Sequence, residues 1–457
     1  MQRITVERTQ HAIGQGGFHT AILRAGGRRF SVVYDCGGGT AERRSRIIDS
    51  IVDAYPLAHD WLVISHLDED HINGIARLEE KGIRFANVFL PHVDLAHSVF
   101  MMLLKIVGES AGAIADERLE SVRIAGRLYS GAYGRPIIIA RNRNVPGNDA
   151  VRSLDNLEDL APHDLPPPSG FFLTPAWQEA LAPARRGAIL SDARSIHLHR
   201  LDWTFRFYSQ EWATPQVVAD LWNLPVLAGL RHAIDDLAQL GTRAGRTFTD
   251  GIQAALETPV SQADANAALR ASHAGHATVR KRITVNALLK LLYKELPALH
   301  DYNSSSLCLY SGPAGIGGGP RQWFQRRTSL TQHEAGHRYL TRAVGWLGMG
   351  DAHLGKPADL AAFVEHYGGE LRLTSTLMLP HHGSRLNYDD ERITLHGLLD
   401  TLPASPDLTL IAASNPDHQK YRHPHRQVVD IAARYGKVHN VNLDWRSMSE
   451  ESVVSEG

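Results

Sequence analysis

Short apolar runs that end in polar or glycine-rich sequence recur along this chain and alternate with helical patterns. Residues 61–64 are such a run, and its length and content predict a buried strand. Residues 43–54 collect their branched apolar side chains on one side of a predicted helix, and residues 75–80 predict the start of another. Together with the apolar run at 30–34, this alternation indicates an α/β fold.

The same strand pattern returns late in the chain, after a long middle stretch of different character. One further strand is predicted before that stretch, at 84–92. After it, strands are predicted at 344–351, 371–379, 408–415 and 438–443. Loops rich in proline and polar residues separate the helical segments of the middle stretch, which are 98–111, 215–240 and 286–296. We therefore expect the first half of an α/β domain, a largely helical insertion or cap, the second half of the domain and a disordered tail, at 1–96, 97–300, 301–446 and 447–457.

Composition and charge exclude several classes of protein. The chain has 457 residues, and its 43% hydrophobic and 21% charged contents are ordinary for globular domains. A formal net charge of −1 gives no overall attraction to nucleic acid or anionic membranes, but it does not exclude a local basic groove. Two cysteines exclude a disulfide framework. Because we see neither a signal peptide nor an apolar run of ~18 residues, we expect a cytoplasmic protein without a membrane partner.

Four potential metal ligands lie within six residues, directly after the predicted strand at 61–64. They are His66, Asp68, Asp70 and His71. The strand can set the direction of the first ligand, the loop can turn alternate residues to one side, and the following helix can present the last. Capping of helix N–H groups is the competing explanation, but it accounts for only one or two of the acidic residues. The stretch therefore indicates a metal site.

Further candidate ligands stand where other predicted strands end. Asp351 follows a glycine at the end of one strand, and His381 and His382 follow the next. His92 ends an earlier strand and is either a further ligand or a surface histidine. Ligands at several strand ends suggest that they meet at one edge of a sheet sandwich.

One motif favours a different class of enzyme. His333, Glu334 and His337 match the H-E-x-x-H pattern of zinc proteases, in which two histidines on one helical turn bind zinc and the glutamate acts as base. Gly336 weakens the helix that this pattern requires. The flanking sequence predicts a loop between strands, so we expect no protease site here.

In chain order, the motifs resemble those of the metallo-β-lactamase superfamily. They are His66-x-Asp68-x-Asp70-His71, Gly350-Asp351, Pro380-His381-His382-Gly383-Ser384, Asn415 and His423-Pro424. Within the superfamily they look most like the ComEC-type metallo-β-lactamase-like domain. The resemblance covers 1–95 and 300–445 in patches and leaves out the middle third. It implies a four-layer αβ/βα metallo-β-lactamase sandwich, here with a large mostly helical insertion, and a metal site at one edge.

The resemblance also implies a two-metal centre. His66 and Asp68 would bind a first divalent ion. Asp70 and His71 would bind a second, and Asp351 would bridge the two. Two such ions ~3.5–4 Å apart can lower the pKa of a shared water and clamp a phosphate during in-line attack.

Two parts of the implied ligand set stay open. Either His381 or His382 would complete the second site, and His92 is the remaining candidate for the first. The usual family pattern has histidine where Asp68 stands. A carboxylate there adds negative charge and hardens the site, so Mn, and also Fe, become candidates beside Zn.

Four residues are candidates for catalysis beside the metals. Asp70 can orient the attacking water as well as bind an ion. Ser384, Asn415 and His423 can hold the scissile group or protonate the leaving oxygen, with turn or cap roles as the alternative for each.

The ligand set predicts a metal-dependent hydrolase that uses a metal-activated water, and the resemblance favours a phosphodiesterase or nuclease. The substrate would then be a nucleic acid or a nucleotide. A hydrolase of a small ester, amide or thioester is the alternative, because the fold hosts many reactions. A non-enzymatic partner or sensor protein that keeps the fold is a third. A basic groove wide enough for a strand would favour the nuclease, and a closed pocket under the 97–300 cap would favour a small substrate. The sequence leaves the oligomeric state and any protein partner open.

Overall fold

The structure is a computed structural model, and it describes both ends of the chain more fully than the middle. The described residues are 3–54, 58–93, 95–110, 116–141, 152–153, 188–193, 195–198, 201–209, 216–240, 246–272, 277–296, 306–313, 322–330, 334–385, 394–403, 407–417 and 422–455. These residues form two large mixed sheets and many helices, which confirms the predicted α/β class.

The first large sheet has ten strands and contains the N-terminal part of the chain. In spatial order they are β15 (Glu334–Thr341), β14 (Trp323–Ser329), β20 (Ser449–Ser455), β1 (Ile4–Gln10), β2 (Phe18–Ala25), β3 (Arg28–Cys36), β4 (Ala58–Val63), β5 (Arg84–Pro91), β6 (Arg135–Ala140) and β8 (Ala188–Ser191). The strands from β3 to β8 run parallel, and the others pair antiparallel.

The second large sheet has eight strands and contains most of the C-terminal part. In spatial order they are β19 (Lys437–Val441), β18 (Thr409–Ala413), β17 (Thr374–Met378), β16 (Gly345–Gly348), β13 (Leu307–Pro313), β10 (Trp203–Ser209), β9 (Ser195–Leu198) and β7 (Arg152–Ser153). The strands from β16 to β19 are parallel. A small separate hairpin pairs β11 (Pro259–Val260) with β12 (Ile283–Thr284).

The helices of the described residues connect these strands or pack beside them. They are α1 (Ala41–Ala54), α2 (Glu69–Ile72), α3 (Ile75–Glu80), α4 (Leu95–Glu109), α5 (Asp116–Tyr129), α6 (Gln216–Trp222), α7 (Ala228–Leu240), α8 (Arg246–Glu257), α9 (Gln262–Ala271), α10 (Val285–Glu295), α11 (Pro357–Leu371), α12 (Thr394–Leu399) and α13 (Arg426–Ala432). No helix in this part of the chain combines the length and the apolar character that a membrane span requires.

Apolar side chains alternate between two cores along the central strands. Trp61 of β4 points into a core shared by both sheets, where its ring lies 4.7 Å from that of Phe205 and near Trp346. Its neighbour Leu62 points the other way, into a core with Ile75 and the helices beside the first sheet. A third core packs the second sheet against α11, α12 and α13. The parallel strands are apolar on both sides because both of their faces are covered.

The middle of the chain differs from the predicted insertion. Besides helices, the range 97–300 contributes β6 and β8 to the first sheet and β9 and β10 to the second. The strand β10 alternates aromatic with polar residues and is almost wholly buried, which suits a strand inside a sandwich. The helices α4 to α10 join the same core as the first sheet. The described residues of this stretch therefore supply strands to both large sheets and helices to the core of the first.

The backbone at the H-E-x-x-H motif is extended. Glu334–Thr341 forms β15, whereas His333 lies outside the described residues. Glu334 and His337 lie on a strand, so the described part of the motif lacks the helical turn that the zinc-protease geometry requires. β15 is an edge strand of the first sheet, whereas the sequence predicts a loop here.

The prediction of a disordered tail is wrong. Ser449–Ser455 forms β20 and lies between β1 and β14 inside the first sheet. Its side chains alternate between buried and exposed, a strand pattern that the serine- and glutamate-rich composition hides. Glu451 is one of the buried residues, and it pairs with Arg8 at 3.3 Å and Arg327 at 3.8 Å.

The carboxyl ends of strands from both sheets lie in the same region. The carbonyl of Ser65, just after β4, accepts a hydrogen bond of 2.7 Å from the N–H of Leu307 in the second sheet. Farther along, the His381 N–H donates to the carbonyl of Gly350 at 3.0 Å. Loops that follow β3, β4, β16, β17 and β18 therefore meet at one edge. Such carboxyl ends are where ligands bind in parallel sheets.

Candidate metal centre

The loop after β4 carries the motif and is held close to the glycine turn after β3. His66 and His71 are both almost fully buried. A Cβ atom on Gly37 would lie 2.6 Å from the backbone carbons of Asp70 and His71, so only glycine fits at this contact. The glycines after β3 therefore form a turn that packs closely against the motif loop.

Asp351 stands at the middle of the site, and its two carboxylate oxygens face different histidines. Oδ2 lies 3.6 Å from Nε2 of His66 and 3.6 Å from Nε2 of His381. Oδ1 lies 3.4 Å from Nε2 of His71 and 3.4 Å from Nε2 of His382. Each oxygen of this carboxylate thus faces two of the four rings. His66, His71 and Asp351 also form one ligand group, in which the ligand atoms all lie within 4.8 Å of one another.

These distances suit ligands around a cation better than they suit hydrogen bonds. An N–H···O bond measures ~2.7–3.2 Å. Two ligand atoms bonded at ~2.0–2.1 Å to one tetrahedral ion lie ~3.3–3.4 Å apart. The Nε2 atoms of His66, His71 and His382 are buried and complete no hydrogen bond among the described residues. Buried polar atoms in that state point to a ligand.

A strained turn directs two adjacent histidines into the same site. His381 and His382 both have left-handed backbone conformations, with φ of 49° and 56°. Each such conformation costs about 1–3 kcal/mol for a residue other than glycine. The turn keeps both rings near Asp351 although the two residues are neighbours in sequence. Both histidines therefore reach the centre, where the sequence left a choice between them.

Three of the histidines are oriented through their other ring nitrogen. Nδ1 of His66 lies 2.9 Å from the Ser65 hydroxyl, and Nδ1 of His382 donates to the Ala413 carbonyl at 2.9 Å. Nδ1 of His71 lies 2.8 Å from Oδ2 of Asp35. A donor role for Nδ1 leaves Nε2 as the basic atom, which is the arrangement of metal-bound histidines.

Asp35 supports the site but is missing from the predicted ligand set. Its carboxylate is fully buried and accepts hydrogen bonds of 2.7 Å from the Ser65 N–H and the Ser65 hydroxyl, besides facing His71. Its backbone has a φ of 55°, unusual outside glycine. The signal for it in the sequence was an aspartate directly after a buried strand and before glycines.

Replacing Asp35 by asparagine should weaken metal binding without unfolding the chain. The amide can still accept one hydrogen bond, but it no longer holds His71 as a charged acceptor does. Loss of such a partner lowers metal affinity by about 10–100-fold. Titration of the metal-free protein with Zn²⁺ or Mn²⁺ measures this change, and circular dichroism checks the fold. Equal affinities for the variant and the parent would remove Asp35 from the supporting set.

Charge balance also prepares the centre for a cation. Burial lowers the pKa of the His71 imidazole, but the carboxylates of Asp35 and Asp351 outweigh burial and hold that pKa well above its usual value. Burial raises the pKa of Asp351, yet the surrounding histidines outweigh it and hold the pKa well below its usual range. At His66, burial lowers the pKa. The Asp351 carboxylate thus stays ionised at neutral pH.

The two remaining aspartates of the motif have different surroundings. Oδ2 of Asp70 lies 3.4 Å from Nε2 of His382, and its group with His71 and His382 has all three ligand atoms within 4.8 Å of one another. Asp68 is buried, and its Oδ2 accepts a hydrogen bond of 2.6 Å from Lys105 of α4. Among the described residues, Asp68 belongs to neither ligand group.

The other candidates fall at different distances from the centre. His92 belongs to neither ligand group of the described residues, and burial lowers its pKa to about 4. The N–H of Ser384 donates to the His381 carbonyl at 2.8 Å, a turn contact. The ring of His423 lies 5.8 Å from that of His381. Asn415 lines the cavity in front of the centre.

That cavity has a volume of about 570 Å³ and opens directly onto the ligands. Asp68, Asp70, Asp351 and His381 form one side of it. Residues from the middle of the chain form another side, namely Lys105 and Glu109 of α4 and Arg118 of α5. The volume lies within the ~300–1,000 Å³ of small-molecule sites.

Comparison with known proteins adds no identification, since no family model and no curated protein matches the chain.

Proposed function

We propose that this chain is a two-metal hydrolase that cleaves phosphodiester bonds. One observation carries the proposal: the two oxygens of Asp351 face separate histidine pairs, His66 with His381 and His71 with His382. A bridging carboxylate between two nitrogen-rich sets is the ligand arrangement of paired divalent ions. The chemistry of the donors, imidazole with carboxylate, suits Zn and Mn, with Fe as a further candidate.

We further propose the four-layer metallo-β-lactamase sandwich as the fold. Its support is the order of the cores, with helices beside the first sheet, a core between the sheets and helices beside the second. The ligands lie at the carboxyl ends of strands from both sheets, as the resemblance implies.

Two bound divalent ions would lower the pKa of a water molecule and neutralise charge on the phosphoryl oxygens. The protein itself fixes the orientation of the metal-binding side chains. Ser65, Asp35 and the Ala413 carbonyl fix the ring orientations, and the buried setting strengthens each electrostatic contact. Asn415 and His423 stand beside the centre and remain the candidates for contacting the substrate.

The shape and lining of the cavity favour a compact phosphodiester. Lys105 and Arg118 line the cavity, and each is ion-paired with an acidic neighbour. The positive charge that suits a phosphate better than a neutral ester would therefore come mainly from the bound divalent ions. Residues of α4 and α5 line the cavity, and its volume of about 570 Å³ suits a nucleotide-sized molecule or a strand end better than the middle of a duplex. The same volume is the observation that favours the second candidate, a hydrolase of a small ester.

Hydrolysis of bis(p-nitrophenyl) phosphate tests the proposal. We expect turnover by the purified protein, loss of turnover after chelation and dialysis, and recovery when Mn²⁺ or Zn²⁺ is added. Glu334→Ala is the matched control, because β15 gives this residue no place in a zinc-protease site, and its turnover should equal that of the parent. Absence of diester turnover together with metal-dependent cleavage of p-nitrophenyl acetate would favour the ester hydrolase. Loss of all activity in Glu334→Ala would overturn both.

A further inference from the structure

A lysine from the middle of the chain contacts the metal motif directly. Nζ of Lys105, on α4, lies 2.6 Å from Oδ2 of Asp68. The Asp68 side chain is only 4% exposed and that of Lys105 is 31% exposed, so the pair sits at the boundary between the centre and its cavity. Both residues line the cavity.

A second ion pair holds the same helices over the motif. Arg118 of α5 contacts Glu69 at 3.3 Å and Glu109, at the end of α4, at 3.2 Å. Glu69 follows Asp68 directly in the chain. Arg118 thus links Glu69, next to Asp68, with the end of α4, the helix that carries Lys105.

The ion pair makes the two halves of the centre unequal. Asp70, His71 and His382 form one ligand group, and His71 and His382 also face Oδ1 of Asp351. The Oδ2 side has His66 and His381, and the aspartate that the motif provides for this side is bound to an ammonium group. A cation entering there must compete with Lys105 for Asp68 and is repelled by its charge.

We propose that Lys105 sets the metal occupancy of the centre by weakening the first site relative to the second. This inference rests on the proposed two-metal function. The ion on the Asp70, His71 and His382 side binds tightly, whereas the ion on the His66 and His381 side binds weakly while Lys105 holds Asp68. Lys105 is thus a positioning residue that acts through Asp68.

Titration of the metal-free full-length chain with Mn²⁺, followed by calorimetry and by the electron paramagnetic resonance signal of free Mn²⁺, tests the inference. We expect the parent to bind two ions with clearly different affinities. Lys105→Met should tighten the weaker site by at least tenfold and leave the tighter site nearly unchanged. Lys105→Arg keeps the charge and should keep the difference between the sites.

Lys81→Met is the matched control. Lys81 is also ion-paired, to Asp49 at 3.2 Å, and its side chain is 32% exposed, but it lies at the end of α3 and does not line the cavity. Its variant should bind Mn²⁺ as the parent does. Unchanged affinities in Lys105→Met, or equal tightening in Lys105→Arg, would overturn the role of Lys105 and leave the two-metal centre standing. A parent that binds no ion would overturn the proposed function itself.

Discussion

Replacing Asp351 by alanine is expected to remove hydrolysis and to lower the affinity for both metal ions together. Each carboxylate oxygen faces its own pair of histidine nitrogens at 3.4–3.6 Å, so the loss of one side chain affects both halves of the centre. The ions that Asp351 would hold stabilise transition-state charge by several kcal/mol, so their loss should lower kcat/KM on the order of 10³-fold or more.

Measuring kcat/KM on a model phosphodiester and the bound metal per chain in the same samples checks this expectation. His66→Ala and His382→Ala should each weaken mainly one ion, because these rings face different oxygens of Asp351. Asp250→Ala, at an exposed position on α8, should match the parent. Full turnover by Asp351→Ala with two ions still bound would contradict a bridging role.

Replacing Glu451 by alanine is expected to lower the free energy of unfolding more than any other substitution described. Its carboxylate lies between the guanidinium groups of Arg8 and Arg327 and also accepts from the Thr376 hydroxyl at 2.8 Å. Arg8 is 2% exposed and Arg327 6% exposed, so neither charge can turn to water. Removing one partner of such a buried set costs about 3–5 kcal/mol.

Urea denaturation followed by circular dichroism measures the free energy of unfolding of this variant. Glu450→Ala is the control, because Glu450 neighbours Glu451 on β20 but is exposed, and its carboxylate accepts a 3.3 Å hydrogen bond from the Thr328 hydroxyl. Its effect should stay within about 0.5 kcal/mol. A similar free energy of unfolding for the two variants would show that the buried charges do not depend on Glu451.

The hydrophobic pattern was sufficient to predict the central elements. The strands β4, β5, β17 and β18 and the helices α1 and α3 all lie where the sequence predicts them, because each is a continuous apolar run or a clear helical face. The ends of the predicted strands then indicated where the motif loop, Asp351 and the His381–His382 turn lie. Local spacing also carries the motif itself, since its ligands are near neighbours in the chain.

Contacts between distant segments were not predictable in the same way. Asp35 reaches His71 across 36 positions, and Lys105 reaches Asp68 across 37, so no local pattern connects them. The C-terminal strand escaped prediction because its composition is polar while its burial alternates. The sequence also left open whether His381 or His382 joins the site, because the choice depends on left-handed backbone angles.

The most direct measurement is the electron paramagnetic resonance spectrum of the protein loaded with two equivalents of Mn²⁺. If Asp351 bridges two ions ~3.5–4 Å apart, their spins couple and the spectrum shows an exchange-coupled pair. We expect this coupled signal in the parent and its loss in Asp351→Ala. A spectrum of isolated Mn²⁺ ions in the fully loaded parent, or no bound Mn²⁺ at all, would contradict a two-metal centre.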